Sequence, residues 1–109
     1  MSIRLYIWQR ITAAILVPMI LVHIAVIFYA TRQGLTAADI LTRTHGSVTW
    51  AAFYGTFVLA AAIHGSIGVR NVLAEWSPLK ARATGVAAGA FGAVLIILGL
   101  RAVAAVVLL

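Results

Sequence analysis

Residues 11–31 read ITAAILVPMILVHIAVIFYAT and contain no Asp, Glu, Lys or Arg. Two further stretches, residues 44–69 and 83–100, are also free of these four residue types. At a rise of about 1.5 Å per residue, about 20 apolar residues cross the ~30 Å hydrocarbon core of a bilayer. The sequence therefore predicts an all-α membrane protein with three transmembrane helices, at about residues 6–31, 42–76 and 79–107.

The composition also indicates a membrane protein. Of the 109 residues, 64% are hydrophobic and only 9% are charged. A typical soluble domain carries about 25% charged residues, so this chain has too few polar side chains to cover a soluble fold. We interpret residues 1–109 as a single transmembrane domain. The chain has no cysteine, which excludes disulfides, thiolate-bound iron–sulfur clusters and covalent c-type haem attachment through this chain.

The basic residues lie at the ends of the predicted spans, so the net charge of +6 does not indicate nucleic-acid binding. The positive-inside rule places the more basic side of a membrane protein in the cytoplasm. It predicts a cytoplasmic N-terminus and an external C-terminus for a multi-pass protein of a bacterial-type inner membrane. The cytoplasmic group comprises Arg4, Arg10, Arg70, Lys80 and Arg82, and the external group comprises Arg32, Arg43 and Arg101.

Three short patterns predict how the helices end and pack. Gly34 predicts a left-handed cap at the end of the first helix. Thr36 followed by Asp39 predicts a capping box in an external turn. Gly85 and Gly89 form a small-xxx-small pattern that predicts close helix packing, although glycine is also simply common in membrane helices.

His64 is the strongest candidate for chemistry, because it lies about 9 Å of helix inside the boundary set by Arg70. Gly68, Asn71 and Glu75 follow on the same helical face. A glycine one turn from a histidine leaves a flat recess for a large planar group, and imidazole is a standard axial ligand of haem iron. The alternative is a histidine that hydrogen-bonds a neighbouring helix.

His23 is predicted in the outer half of the membrane, roughly 10 Å further out than His64. Two ligands of one iron must lie at the same level, so these histidines would serve two different haems, each completed by another chain. The alternative is a structural histidine that bonds a hydroxyl or a carbonyl, such as that of Ala14, which Pro18 leaves without its helical donor.

Two further polar residues lie near the predicted membrane surfaces. Arg10 is either a snorkelling positive-inside residue or a donor to a haem propionate or a quinone oxygen. His45, at the external start of the second helix, is predicted to be interfacial and solvated.

Two motifs resemble a known family. Residues 64–76 read HGSIGVRNVLAEW, which resembles the His-x-x-x-Gly-(six residues)-Asp-Tyr stretch on the second helix of the small membrane anchors of succinate dehydrogenases and fumarate reductases. Residues 9–13 read QRITA and are similar to the His-Arg-x-Ser/Thr-Gly and Arg-x-Thr-Ala motifs that open the first helix of these anchors. The resemblance covers nearly the whole chain.

The resemblance implies a b-type cytochrome anchor that binds one or two haems b with a second membrane anchor chain or a second copy. The anchor would dock a flavoprotein and an iron–sulfur subunit and pass electrons to or from membrane quinone, without being an enzyme alone. His64, with Gly68, matches the site of the haem nearer the iron–sulfur subunit, and His23 lies where the distal haem is bound in two-haem members.

The same resemblance implies a quinone site. Arg10 matches a residue near the haem propionates and the quinone, and Thr12 and Trp76 are the further quinone candidates. Where the family often has Asp-Tyr, this chain has Glu75-Trp76. An indole N–H can donate one hydrogen bond but cannot exchange a proton as a phenol does.

Two other function classes compete with this interpretation. A small proton-coupled transporter of similar length needs a proton acceptor within the membrane, usually an acid, and no Asp or Glu lies in the three uncharged stretches, residues 11–31, 44–69 and 83–100. A structural membrane subunit without a cofactor is the third possibility, and the haem spectrum of the purified complex distinguishes it from the first.

Overall fold

The computed structural model describes residues 2–108, and this part of the chain is helical without strands. Its four helices are α1 (Ile3–Gln33), α2 (Ala37–Thr44), α3 (Val48–Trp76) and α4 (Ala81–Val107). The helices α1, α3 and α4 contain 31, 29 and 27 residues, and each is long and apolar enough to cross a membrane. The prediction of an all-α membrane protein with three spans is therefore confirmed.

The predicted start of the second span, at residue 42, is wrong. Thr44 ends the separate helix α2, and α3 begins at Val48. The break occurs because Gly46 adopts a left-handed conformation (φ +70°), which a continuing α-helix does not allow. Ser47 then starts α3, since its hydroxyl accepts the backbone N–H of Trp50 at 3.2 Å.

The first and third spans also begin at different residues from those predicted. The helix α1 begins at Ile3, three residues earlier, because the hydroxyl of Ser2 accepts the N–H of Leu5 and caps the first turn. The helix α4 begins at Ala81, and Lys80 in extended conformation precedes it.

Both predicted caps between the first and second spans are confirmed. Gly34 adopts a left-handed conformation (φ +63°) and its N–H reaches the carbonyls of Ala30 and Thr31. The capping box of α2 is complete, because the Asp39 carboxylate accepts the Thr36 N–H at 2.8 Å and the Thr36 hydroxyl accepts the Asp39 N–H at 3.2 Å. These hydrogen bonds from Thr36 hold the pKa of Asp39 below its usual value of 3.8.

The helix α3 lies in the middle, and α1 and α4 pack against it with few or no contacts to each other. Thr84, Ala88 and Gly92 form the buried stripe of α4 that faces α3. The hydroxyl of Ser66 on α3 donates to the Ala88 carbonyl at 2.8 Å. A Cβ atom at Gly92 would lie 3.2 Å from the Ser66 Cβ atom, so the two helices approach closely here.

Gly85 and Gly89 do not form the predicted close contact between helices of this chain. Both are exposed, and nothing lies within 4 Å of a Cβ atom built at either position. Successive residues of an α-helix point about 100° apart, so Thr84 and Ala88, each one residue before a predicted glycine, face α3 instead. Gly92 and Gly99 are the α4 glycines against which α3 side chains pack.

The helix α2 satisfies backbone groups at the end of α4. The hydroxyl of Thr44 donates to the Val106 carbonyl at 2.7 Å, and the N–H of Gly46 donates to the Val107 carbonyl at 2.7 Å. The last carbonyls of a helix have no partner within the helix. Because Thr44 is only 1% exposed, water cannot replace its hydroxyl at this position.

Candidate functional site

His64 lies on the face of α3 that packs against α1, and its ring is half-buried. The ring Nδ1 atom is 3.2 Å from the hydroxyl oxygen of Thr12 and 3.3 Å from the backbone carbonyl oxygen of Gln9. Thr12 is 3% exposed, so the contact lies inside the helix pair. Residues of the two sequence motifs, which lie on separate helices, therefore meet at His64.

Gly68 and Asn71 extend this contact by two helical turns. The Asn71 side-chain amide donates to the Gln9 Oε1 atom at 3.4 Å. A Cβ atom at Gly68 would lie 3.9 Å from Gln9 Nε2. The predicted common face of His64, Gly68 and Asn71 is confirmed, but Gln9 covers the recess expected at Gly68. Glu75, the fourth residue of this face, is exposed.

The three residues predicted to bind quinone lie in different environments. Thr12 faces His64, whereas Arg10 is exposed and its guanidinium lies 5.9 Å from the centre of the Tyr6 ring. Trp76 is the last residue of α3 and is 83% exposed. An exposed Arg10 in contact with an aromatic ring fits a residue near the headgroup level of the membrane.

His23 lies in an aromatic environment between α1 and α3. Its ring meets the rings of Tyr54 and Phe57 edge to face, at centroid distances of 5.7 and 5.4 Å. Its Nδ1 atom is buried without a hydrogen-bond partner among residues 2–108. The alternative in which a hydroxyl or the Ala14 carbonyl satisfies this nitrogen is therefore wrong for Nδ1 in the described chain.

A cavity of about 320 Å³ adjoins His23. Aromatic side chains of α3 and small or branched residues of α4 form its other walls. The lining residues are His23, Tyr54, Phe57, Val58, Gly99, Ala102, Val103 and Val106. His23 thus borders an almost wholly apolar space.

The contacts also fix the relative depth of the two histidines. His64 is level with Thr12, and His23 is eleven residues further along α1, which corresponds to about 16 Å. On α3, the residues that touch His23 precede His64 by seven and ten residues, or about 10–15 Å. The separation is at least the ~10 Å expected, so the two rings cannot ligate one iron from the same level.

The aromatic residues around His23 are not among the site residues predicted from the sequence. The Trp50 ring stacks on Tyr54 at 5.4 Å, and the Arg43 guanidinium lies 4.6 Å from the centre of the Trp50 ring. The spacing of Trp50, Tyr54 and Phe57, at i, i+4 and i+7, was the available signal, because it places all three on one helical face. His45 is exposed, but it is the C-cap residue of α2 and does not lie at the start of the second span as predicted.

The metal-binding capacity of the described chain consists of single histidines. No group of three or more His, Cys, Asp or Glu side chains comes together in residues 2–108. A haem brings its own four equatorial nitrogens and needs only axial ligands from protein, so isolated histidines are compatible with haem but not with a four-ligand zinc site.

Comparison with protein families identifies a family to which this chain is similar. The family model for the succinate dehydrogenase/fumarate reductase transmembrane subunit matches residues 2–99. Comparisons with curated proteins and with solved structures give no match. The matched range contains α1, α2, α3 and most of α4, including both histidines and the contact between Thr12 and His64. The chain therefore belongs to the succinate dehydrogenase/fumarate reductase transmembrane subunit family.

Proposed function

We propose that this chain is a haem b-binding membrane anchor of a succinate:quinone oxidoreductase or fumarate reductase. It docks the flavoprotein and iron–sulfur subunits at the cytoplasmic side of a bacterial-type inner membrane and passes electrons to or from quinone. Membership of the family supports the assembly with catalytic subunits. The chain is an electron-transfer subunit and not an enzyme alone.

One observation carries the haem proposal. The hydrogen bonds of His64 with residues 2–108 all involve Nδ1, and none of these residues bonds Nε2. Histidines that ligate metals typically use one ring nitrogen for the metal and bond a protein oxygen with the other. Bound at this position, haem supplies one-electron transfer, and the residues of this chain hold and orient its axial ligand.

A second chain must complete the site. A six-coordinate haem with two histidine ligands needs a second imidazole at the level of His64. The other histidines of this chain are His23, at least about 10 Å away in depth, and His45, which is exposed at the end of α2. A partner anchor, or a second copy of this chain, provides the second ligand.

His23 is the proposed ligand of a second haem in the outer half of the membrane. Its Nδ1 atom is buried without a hydrogen-bond partner among residues 2–108, and a polar atom in hydrocarbon is costly without one. An iron on this level would be ligated by one ring nitrogen, and a group of the partner chain would satisfy the other. Both histidines then face cofactors that are shared with the partner chain.

Arg10 is the proposed donor to a haem propionate or to a quinone oxygen. It is exposed and follows Gln9, whose carbonyl contacts His64, so it lies near the same end of the haem site. Its planar group of N–H donors suits a carboxylate. Trp76 has an exposed indole N–H for a quinone oxygen.

A redox titration of the purified complex, with haem measured per protein, tests these assignments. His64→Ala is expected to remove one low-spin haem component, and His23→Leu a different one. His45→Ala is the matched control, because it removes an exposed histidine and should leave both components unchanged. A wild-type complex without b-type haem would contradict the proposal and favour a cofactor-free structural subunit or a transporter. Survival of every component in His23→Leu would make His23 a structural residue.

A further inference from the structure

Three oxygen atoms of α1 determine where the proton on the His64 ring lies. The Thr12 hydroxyl oxygen and the Gln9 carbonyl oxygen are 3.2 and 3.3 Å from Nδ1. The third is the carbonyl oxygen of Trp8, which accepts the Thr12 hydroxyl hydrogen at 2.8 Å. Each of these distances is within hydrogen-bond range.

The donor and acceptor roles follow from this geometry. A carbonyl oxygen only accepts, so the Gln9 contact requires a hydrogen on Nδ1. The Thr12 hydroxyl has a single hydrogen, and the carbonyls of its own helix at Trp8 and Gln9, at 2.8 and 3.1 Å, receive it. In its contact with His64 the hydroxyl oxygen therefore accepts, through one of its lone pairs, from Nδ1–H. A neutral imidazole carries one hydrogen, so Nε2 has a free lone pair.

We propose that Thr12 is the positioning residue that selects the Nδ1–H tautomer and the ring orientation of His64, and so presents Nε2 to an iron. The inference rests on the proposed haem function. It assigns Thr12, a quinone candidate by sequence, to the support of the axial ligand instead.

Of the two oxygen acceptors of Nδ1–H, only the Thr12 hydroxyl can be removed by a substitution. The Gln9 carbonyl belongs to the backbone of α1 and remains in every variant, but at 3.3 Å it is the longer of the two contacts. At 3% exposure, no water or lipid headgroup can take the place of the Thr12 hydroxyl. Without that oxygen the ring has one acceptor, and its rotation about the Cβ–Cγ bond is less restricted.

The test uses the complete complex with all its subunits and compares Thr12→Val, Thr12→Ser and Thr84→Val. Valine keeps the shape of threonine without the hydroxyl, and serine keeps the hydroxyl. Thr84 is the matched control, because it is 2% exposed and its hydroxyl donates only to the Ala81 carbonyl of its own helix. The readouts are the electron paramagnetic resonance signal of the ferric low-spin haem, its midpoint potential, and haem affinity.

We expect Thr12→Val to shift the ferric signal and the midpoint potential of the haem that His64→Ala removes. Loss of a residue that supports a metal ligand typically lowers affinity by roughly 10- to 100-fold, and we expect a loss of this size in haem affinity. Thr12→Ser should restore the wild-type signal, and Thr84→Val should not change it.

Several outcomes would overturn the inference. The first is a Thr12→Val complex with wild-type haem signal, potential and affinity, including one that has lost only quinone reduction. If Thr12→Val does not assemble, the smaller Thr12→Ala is judged by the same signals. Absence of both variants from the membrane would make Thr12 a folding residue. By contrast, a wild-type haem signal that survives in His64→Ala would contradict the proposed function itself.

Discussion

Gly99→Ala is expected to disrupt the packing of α4 on α3, because the added methyl group has no space. A Cβ atom at Gly99 would lie 2.5 Å from Val58 Cγ1, 2.8 Å from Cγ2 and 3.2 Å from Cβ, whereas ordinary contacts are 3.4–4 Å. Rotation of Val58 cannot relieve this contact, since its Cβ atom does not move with χ1 and valine in a helix has one strongly preferred rotamer. The two helices must therefore separate locally.

The size of the effect follows from two opposing terms. Alanine has a higher helix propensity than glycine by roughly 1 kcal/mol. Overpacking of a well-packed contact costs about 1–3 kcal/mol. Gly89→Ala on the same helix gains the first term without the second, because nothing lies within 4 Å of its Cβ position. We therefore expect Gly99→Ala to be about 1–3 kcal/mol less stable than Gly89→Ala.

The assay is unfolding of the chain in mild-detergent micelles by added denaturing detergent, followed by far-UV circular dichroism and tryptophan fluorescence. The chain is measured alone so that no partner helix covers Gly89. The double variant Val58→Ala/Gly99→Ala removes both γ-methyl groups of Val58 and should recover part of the loss, with a coupling free energy of about 0.5–3 kcal/mol. Equal stability of Gly99→Ala and Gly89→Ala would refute the geometry of this contact.

Two further predictions concern the helix α2. Thr44→Val removes the buried hydroxyl that donates to the Val106 carbonyl, so it should lower the free energy of unfolding by about 1–3 kcal/mol in the same assay; Thr44→Ser should stay near wild type, and an unchanged Thr44→Val would contradict the capping role. The lowered pKa of Asp39 means that the capping box contributes fully above pH 3.8 and is lost as the pH falls through that lowered pKa. The Thr36 amide shift in micelles should follow this titration and should be constant in Asp39→Asn.

The three spans and the external caps could be predicted because each depends on neighbours in the sequence. A run without charged residues defines a span by its length alone, as in residues 11–31. Gly34 and the pair Thr36 and Asp39 act within one or two helical turns. The shared face of His64 and Gly68 follows equally from helical periodicity. None of these features requires knowledge of another helix.

Features that depend on the register between helices could not be predicted. Periodicity indicates which residues share a helical face but not which face meets a neighbouring helix. The sequence therefore indicates close packing at Gly85 and Gly89, whereas it occurs at Gly92 and Gly99. The contact of His64 with Thr12 could not be predicted for the same reason, because it requires two motifs on separate helices to lie at the same level. The break at Gly46 depends on a backbone conformation that a glycine permits but does not require.

The half-buried histidines His23 and His64 differ in the groups that surround their ring nitrogens. His64 finds two oxygen acceptors within its own chain, so its ring is oriented before a cofactor or a partner arrives. His23 is held by aromatic edges, which fix the ring plane without offering an acceptor to its nitrogens. Because an unpaired ring nitrogen is costly in hydrocarbon, only a group from outside the described chain can satisfy His23. In the proposed assembly, the site at His64 would be preorganised by α1 and α3 alone, whereas the site at His23 would be completed only when another chain binds.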